Sequence, residues 1–126
     1  MVRAWKFGRE WEIPAFQNEV MRCLIAEFQH KHINLRAMRQ AYGTTSTRDA
    51  DRDELLRRAF ITEFAFESRD KTWFEEDLVE SGLDKSIDFH KDYTRIMCLA
   101  YDYDDDYDPK VEGARLADLL VDETIE

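Results

Sequence analysis

The residues best equipped for chemistry are the carboxylates of segment 102–113, DYDDDYDPKVEG. An EF-hand calcium loop needs oxygen ligands at positions 1, 3 and 5, glycine at 6 and a bidentate Glu at 12. Counting from Asp102 places Asp104 and Asp106 correctly. Tyr107 then stands where glycine must turn the chain, Gly113 takes the place of the Glu, and Glu112 comes one residue early. The segment reads as a solvated acidic connector that repels itself open. No metal and no other cofactor is expected.

Histidine and serine point the same way. His30 and His32 are two residues apart, which puts them on different faces of a helix, and no Cys or carboxylate lies close enough in sequence to complete a ligand set. His90 has Asp88 and Asp92 two residues away on either side, and neither would face it on a helix. Ser46, Ser68, Ser81 and Ser86 lie in loops or at helix ends, with no sharp Gly-flanked turn to activate a nucleophile. Four glycines are too few for a phosphate cradle, and neither GxGxxG nor a P-loop occurs. Cys23 and Cys98 each fall within an apolar helical pattern, with no partner at metal-ligand spacing; they read as small buried hydrophobes in a reducing compartment. The chain is therefore expected not to be an enzyme.

What remains is binding, and charge divides the chain into two halves. Residues 1–71 carry 13 Lys/Arg against 11 Asp/Glu, a net of +2, whereas 72–126 carry 5 against 17, a net of −12. An acidic half disfavours contact with phosphate backbones, so nucleic acid is not an expected partner. It suits a basic protein, histone-like or ribosomal, meeting a surface formed by Asp102, Asp104, Asp105, Asp106 and Asp108. No apolar run approaches the roughly 18 residues that span a bilayer, and the N-terminus has no signal-length apolar stretch. No membrane association is expected, and the setting is intracellular, cytoplasmic or nuclear.

The elements that would position these residues are helices. Apolar residues at 44% can form a core; 37% charged residues with few Gly and Pro favour helices with wet outer faces. A short helix over 2–10 ends before Ile13-Pro14, and proline at a first helical position opens the next, to about residue 29. There Phe16, Val20, Leu24 and Phe28 recur every fourth residue, with Met21 and Ile25 beside them. Asn34 caps a short helix through Leu35, Met38 and Tyr42. After a loop at 43–49, Asp49 or Thr47 caps a helix over 50–67 whose Leu56, Phe60 and Phe64 form a second ladder. Thr72 and Glu75 have capping-box spacing for a helix from Trp73 that Ser81-Gly82 closes. A longer helix over 86–101 carries Phe89, Tyr93, Ile96, Met97 and Ala100, and a last one starts at Asp108-Pro109 and runs through Leu116, Leu119 and Leu120. The expectation is an all-α protein, a compact bundle of about six to seven short helices. Residues 1–101 form a helical domain, and 102–126 an acidic connector and C-terminal helix packed on or next to it.

Trp5, Phe7, Trp11 and Phe16 cluster before the first long helix is complete. They are either core residues or anchors of an exposed patch, since aromatic side chains dominate interface hot spots.

The stretch WKFGREWEIPAFQNEVMRCLI (5–25) resembles the last two helices of fungal BTB/POZ-domain proteins, in the pattern Trp5, Phe7, Gly8, Trp11, Ile13, Pro14, Phe16, Asn18. Ala41-Tyr42, the 43–49 loop, Asp53 to Arg58 and Phe74 to Leu78 are similar to the helical extension that follows in that family. The family's α/β half would precede residue 1 and is not in this sequence. The usual BTB homodimer interface and cullin-type docking belong to that half, so any homo-oligomer would use another surface. The resemblance implies a protein–protein interaction module, an adaptor or scaffold subunit, with Trp5, Phe7, Trp11 and Phe16 as anchors.

Overall fold

A computed structural model describes residues 1–31, 33–43, 53–70, 75–102 and 119–121. The protein is an all-α bundle: α1 is Val2–Glu10, α2 Pro14–His30, α3 Leu35–Tyr42, α4 Glu54–Asp70, α5 Glu75–Ser81 and α6 Ile87–Asp102, with a 3-10 turn at Leu83–Lys85 between the last two. No strand occurs among the described residues. The run IMCLAY (96–101) lies inside α6.

Helix α4 is the axis of the bundle. Leu56, Phe60 and Phe64 are buried to 2% exposure or less, and Ala59, Ile61 and Ala65 join them, so apolar contact surrounds most of the helix. Rings from three other helices converge on it or on its neighbours. Phe28 of α2 meets Phe60 edge-on at 5.3 Å, Phe64 meets Phe89 and Tyr93 of α6 at 5.5 Å, and Phe89 meets Tyr42 of α3 at 5.9 Å. Edge-to-face rings at these separations add attraction beyond the area they bury.

Local chemistry sets the helix ends. Asn34 Oδ1 accepts from the Arg36 and Ala37 amides at 3.0 and 3.1 Å, as its cap role requires. Ser86 Oγ accepts from Phe89 N at 3.2 Å and caps α6. Gly82 takes φ 85° after α5, a conformation that costs a side-chain-bearing residue more. Expected starts at Asp49 or Thr47, at Trp73 and at Asp108-Pro109 lie outside the described residues; α4 is described from Glu54 and α5 from Glu75.

Polar contacts tie distant segments together. Arg9 of α1 pairs with Asp53, just before α4, and Lys6 Nζ lies 3.5 Å from the same carboxylate. Lys6 also donates to the Gln40 carbonyl at 2.6 Å, joining α1 to α3. Glu67 accepts the Ile33 amide at 3.1 Å and holds the α2–α3 connection against α4.

One expectation is corrected here, and one left open is decided. Cys23 and Cys98 are both exposed free thiols, not core residues, because their helices turn the faces carrying Met21, Leu24 and Ile96 inward instead. Phe16 lies on the same four-residue ladder as Val20 and Leu24, yet is 39% exposed. It stands on the first turn of α2, where the helix faces the end of α1 and not the core.

Candidate docking surface

The corner between α1 and α2 is made by a specific backbone device. After α1, the Ile13 amide donates to Gly8 O at 2.8 Å and the Glu12 amide to Arg9 O at 3.2 Å. This is the Schellman pattern, in which the residue after the cap takes a left-handed conformation. Here that residue is Glu12, with φ 53°, the one non-glycine at positive φ among the described residues. Glycine would adopt it without penalty, so the glutamate carries strain. Pro14 then opens α2 at once, where its missing amide costs nothing.

Gly8 lets the two helices touch. A Cβ there would stand 2.8 Å from Gln17 Cγ and 2.9 Å from Phe16 Cδ1. The bare backbone of α1 therefore seats directly against the first turn of α2.

This geometry separates the four aromatics. Val2, Trp5 and Gly8, spaced by three, form the inner face of α1, and Trp5 is buried to 1% exposure. Its indole Nε1 finds no hydrogen-bond partner among the described residues. Phe7 and Trp11, four apart, take the outer face at 53% and 68% exposure. Phe16 comes from α2 to meet them: Phe7 lies 6.0 Å from Trp11 with the rings tilted by 40°, and 6.1 Å from Phe16 edge-on. Ile13, in the connecting turn, is 42% exposed and extends the surface. The structure brings Phe7, Trp11 and Phe16 together and places Trp5 apart from them, in the core. Ile13 was not among the expected anchors; its position between Trp11 and Phe16 was the available signal.

These rings touch one another instead of surrounding a hollow. Together they form a ridge of exposed apolar surface at the α1–α2 corner. Contiguous apolar exposure of this kind is uncommon unless something covers it.

The remaining candidates are quickly placed. Asp102 ends α6, while Asp104, Asp105, Asp106 and Asp108 lie outside the described residues, as does His32. His30 is exposed at the end of α2. His90 is also exposed, and its Nε2 donates to the Asp84 carbonyl at 2.6 Å. Among the described residues no three His, Cys, Asp or Glu side chains gather as a metal would require. No described helix is long and apolar enough to cross a membrane.

One buried polar group stands out. Tyr42 donates to Asp92 Oδ2 at 2.9 Å, and Arg57 lies over its ring at 5.8 Å. Burial, and then the Asp92 carboxylate, raise the phenol far above its ordinary range. A tyrosine so held stays neutral and serves as a hydrogen-bond donor joining α3 to α6.

No known protein family, curated protein or solved structure matches the chain.

Proposed function

We propose that this chain is a non-catalytic protein–protein interaction module, an intracellular adaptor or scaffold subunit, which docks a partner protein through the ridge of Phe7, Trp11 and Phe16. The observation that carries this reading is their mutual contact while 39–68% exposed. Two features support it. Rigid aromatic anchors bind with little loss of side-chain freedom. Strain at Glu12, beside the ridge, is of the kind proteins retain where a surface must keep a set shape. The resemblance of 5–25 to the last helices of BTB/POZ proteins fits the same role. Trp5 supports the ridge from within instead of touching the partner.

A second reading rests on the net charge of −12 over residues 72–126. Here Asp102, Asp104, Asp105, Asp106 and Asp108 engage a basic protein. Salt separates the two readings, since screening shortens to a few ångström at high ionic strength.

The test is affinity capture with the full chain, with Phe7→Ser/Trp11→Ser, and with Asp104, Asp105 and Asp106 changed to Asn, at about 50 and 300 mM salt. A partner held at both salt concentrations and lost by the aromatic variant supports the ridge. A partner lost with salt and with the Asn variant supports the acidic surface. Retention by both variants defeats both readings.

A further inference from the structure

The outer face of α1 is complementary to itself. At about 3.6 residues per turn, Arg3 and Glu10 fall on one flank of Phe7, and Ala4 and Trp11 on the other. Arg3, Phe7, Glu10 and Trp11 are exposed, and Ala4 is half-buried. Arg3 and Glu10 stand two turns apart, roughly 10 Å along the axis, which is too far for them to pair with each other along one α1. Glu10 has its neighbour Arg9 at 3.8 Å, but Arg9 is held by the buried Asp53, and the Glu10 side chain stays 65% exposed.

A second α1 laid antiparallel on the first, about a two-fold axis through Phe7, brings each of these positions to its complement. Arg3 meets Glu10 of the second copy on one flank, Trp11 covers the small Ala4 on the other, and the two Phe7 rings meet at the axis. Each flanking contact occurs twice, as two-fold symmetry requires. We propose that a second copy of this chain is the partner the ridge docks, through antiparallel α1 helices; this rests on the reading of the ridge as a docking surface.

Two observations favour this occupant. The first is charge order: a face carrying one sign at both ends would repel its own copy, whereas this one carries a cation at one end and an anion at the other. The second is the position of the ridge in the chain. The net charge of −10 sets copies against one another, yet residues 72–126 carry −12 and residues 1–71 carry +2. The ridge thus belongs to the half of the sequence where like-charge repulsion is least. One short helix and its corner from each copy make a small contact, so the dimer is weak and reversible.

Sedimentation of the full chain from about 10 μM to 1 mM reads the association. Wild type should pass from monomer toward dimer over this range, and Phe7→Ser/Trp11→Ser should stay monomeric. Charge reversal tests the pairing itself. Arg3→Glu alone and Glu10→Arg alone each set like charges opposite one another twice, and each should weaken the dimer about tenfold. Arg3→Glu/Glu10→Arg together exchange the two charges and should dimerise as wild type does. An equal mixture of the two single variants should also recover the dimer. Each single reversal places at its end of α1 the charge that the helix dipole favours, so helical circular dichroism should hold while association falls. A wild-type chain that stays monomeric at the highest concentration overturns the second copy as occupant; capture of another protein by the ridge would then keep the wider reading intact. A dimer that persists in Phe7→Ser/Trp11→Ser, or single reversals that leave it unchanged or are not rescued, overturns the antiparallel pairing.

Discussion

The Cα of Gly8 faces Gln17 so closely that a methyl group there would stand 2.8 Å from Gln17 Cγ. That approach lets α1 lie against the start of α2, and it determines which aromatics can reach water. Gln17 is itself buried, so it has little room to withdraw. Gly8→Ala gains roughly 1 kcal/mol of helix propensity and meets an overpacking cost of about 1–3 kcal/mol. The expected outcome is a net loss of about 1 kcal/mol in urea unfolding, with Gly8→Leu worse. A thermal midpoint for Gly8→Ala at or above wild type would show that the helices part freely.

Glu12 should behave oppositely. Its left-handed backbone suits glycine, and Glu12→Gly is expected to stabilise the protein by about 1 kcal/mol, because the strain removed exceeds the flexibility added to the unfolded chain. Differential scanning calorimetry reads this directly. If midpoints are equal, other interactions of Glu12 offset the strain.

Trp5 and Trp11 separate core from surface. Trp5→Ala should cost about 3–5 kcal/mol, as large core truncations do. Trp11→Ala should stay within roughly 0.5 kcal/mol in the isolated protein, in line with ordinary surface changes. A comparable loss at Trp11 would mean that the ridge serves the fold and not a partner.

The pair of Arg9 and Asp53 should be costly to break from one side. Asp53 is 3% exposed, and Asp53→Ala leaves the Arg9 guanidinium, 15% exposed, with only the exposed Glu10 carboxylate at 3.8 Å. A loss of about 3 kcal/mol is expected, and Arg9→Met combined with Asp53→Leu should recover most of it. A double variant no better than Asp53→Ala would show that the pair matters by geometry, not charge.

Tyr42 makes stability fall in alkali. Its phenol ionises near pH 10 in the unfolded chain but far higher when folded, so above pH 10 the folded state holds a proton that the unfolded state has released. The contribution is complete below that pH and declines above it by about 1.4 kcal/mol per pH unit. Wild type and Tyr42→Phe, unfolded by urea between pH 9 and about 11.5, should differ in slope by that amount. Parallel curves would place the phenol in contact with solvent.

Much of the helical framework was legible in the sequence because its signals are local. Pro14, Asn34 and Gly82 act within a turn of themselves, and the ladder of Leu56, Phe60 and Phe64 reports a buried face by spacing alone. The docking surface was legible only in part. Trp5 and Trp11 look alike as residues, and what separates them is the spacing of Val2, Trp5 and Gly8, whose meaning depends on α2 lying against Gly8. Cys23 was misjudged, and Phe16 stayed open between core and anchor, because periodicity gives a stripe without saying where its burial stops. The contact of Asn18 with Val121 spans 103 positions, and that of Arg9 with Asp53 spans 44. Spacing rules carry no information over such distances.

The division between Trp5 and Trp11 also has an optical consequence. An indole sealed in the core emits at shorter wavelength and resists aqueous quenchers, while one 68% exposed emits further to the red and is quenched readily. Two of the chain's three tryptophans thus have different duties as native fluorophores: Trp5 brightens or dims with unfolding, and Trp11 responds when the ridge is covered. In a Trp73→Phe background, Trp5→Phe and Trp11→Phe give single-reporter forms, so folding and docking can be followed in one cuvette without a dye.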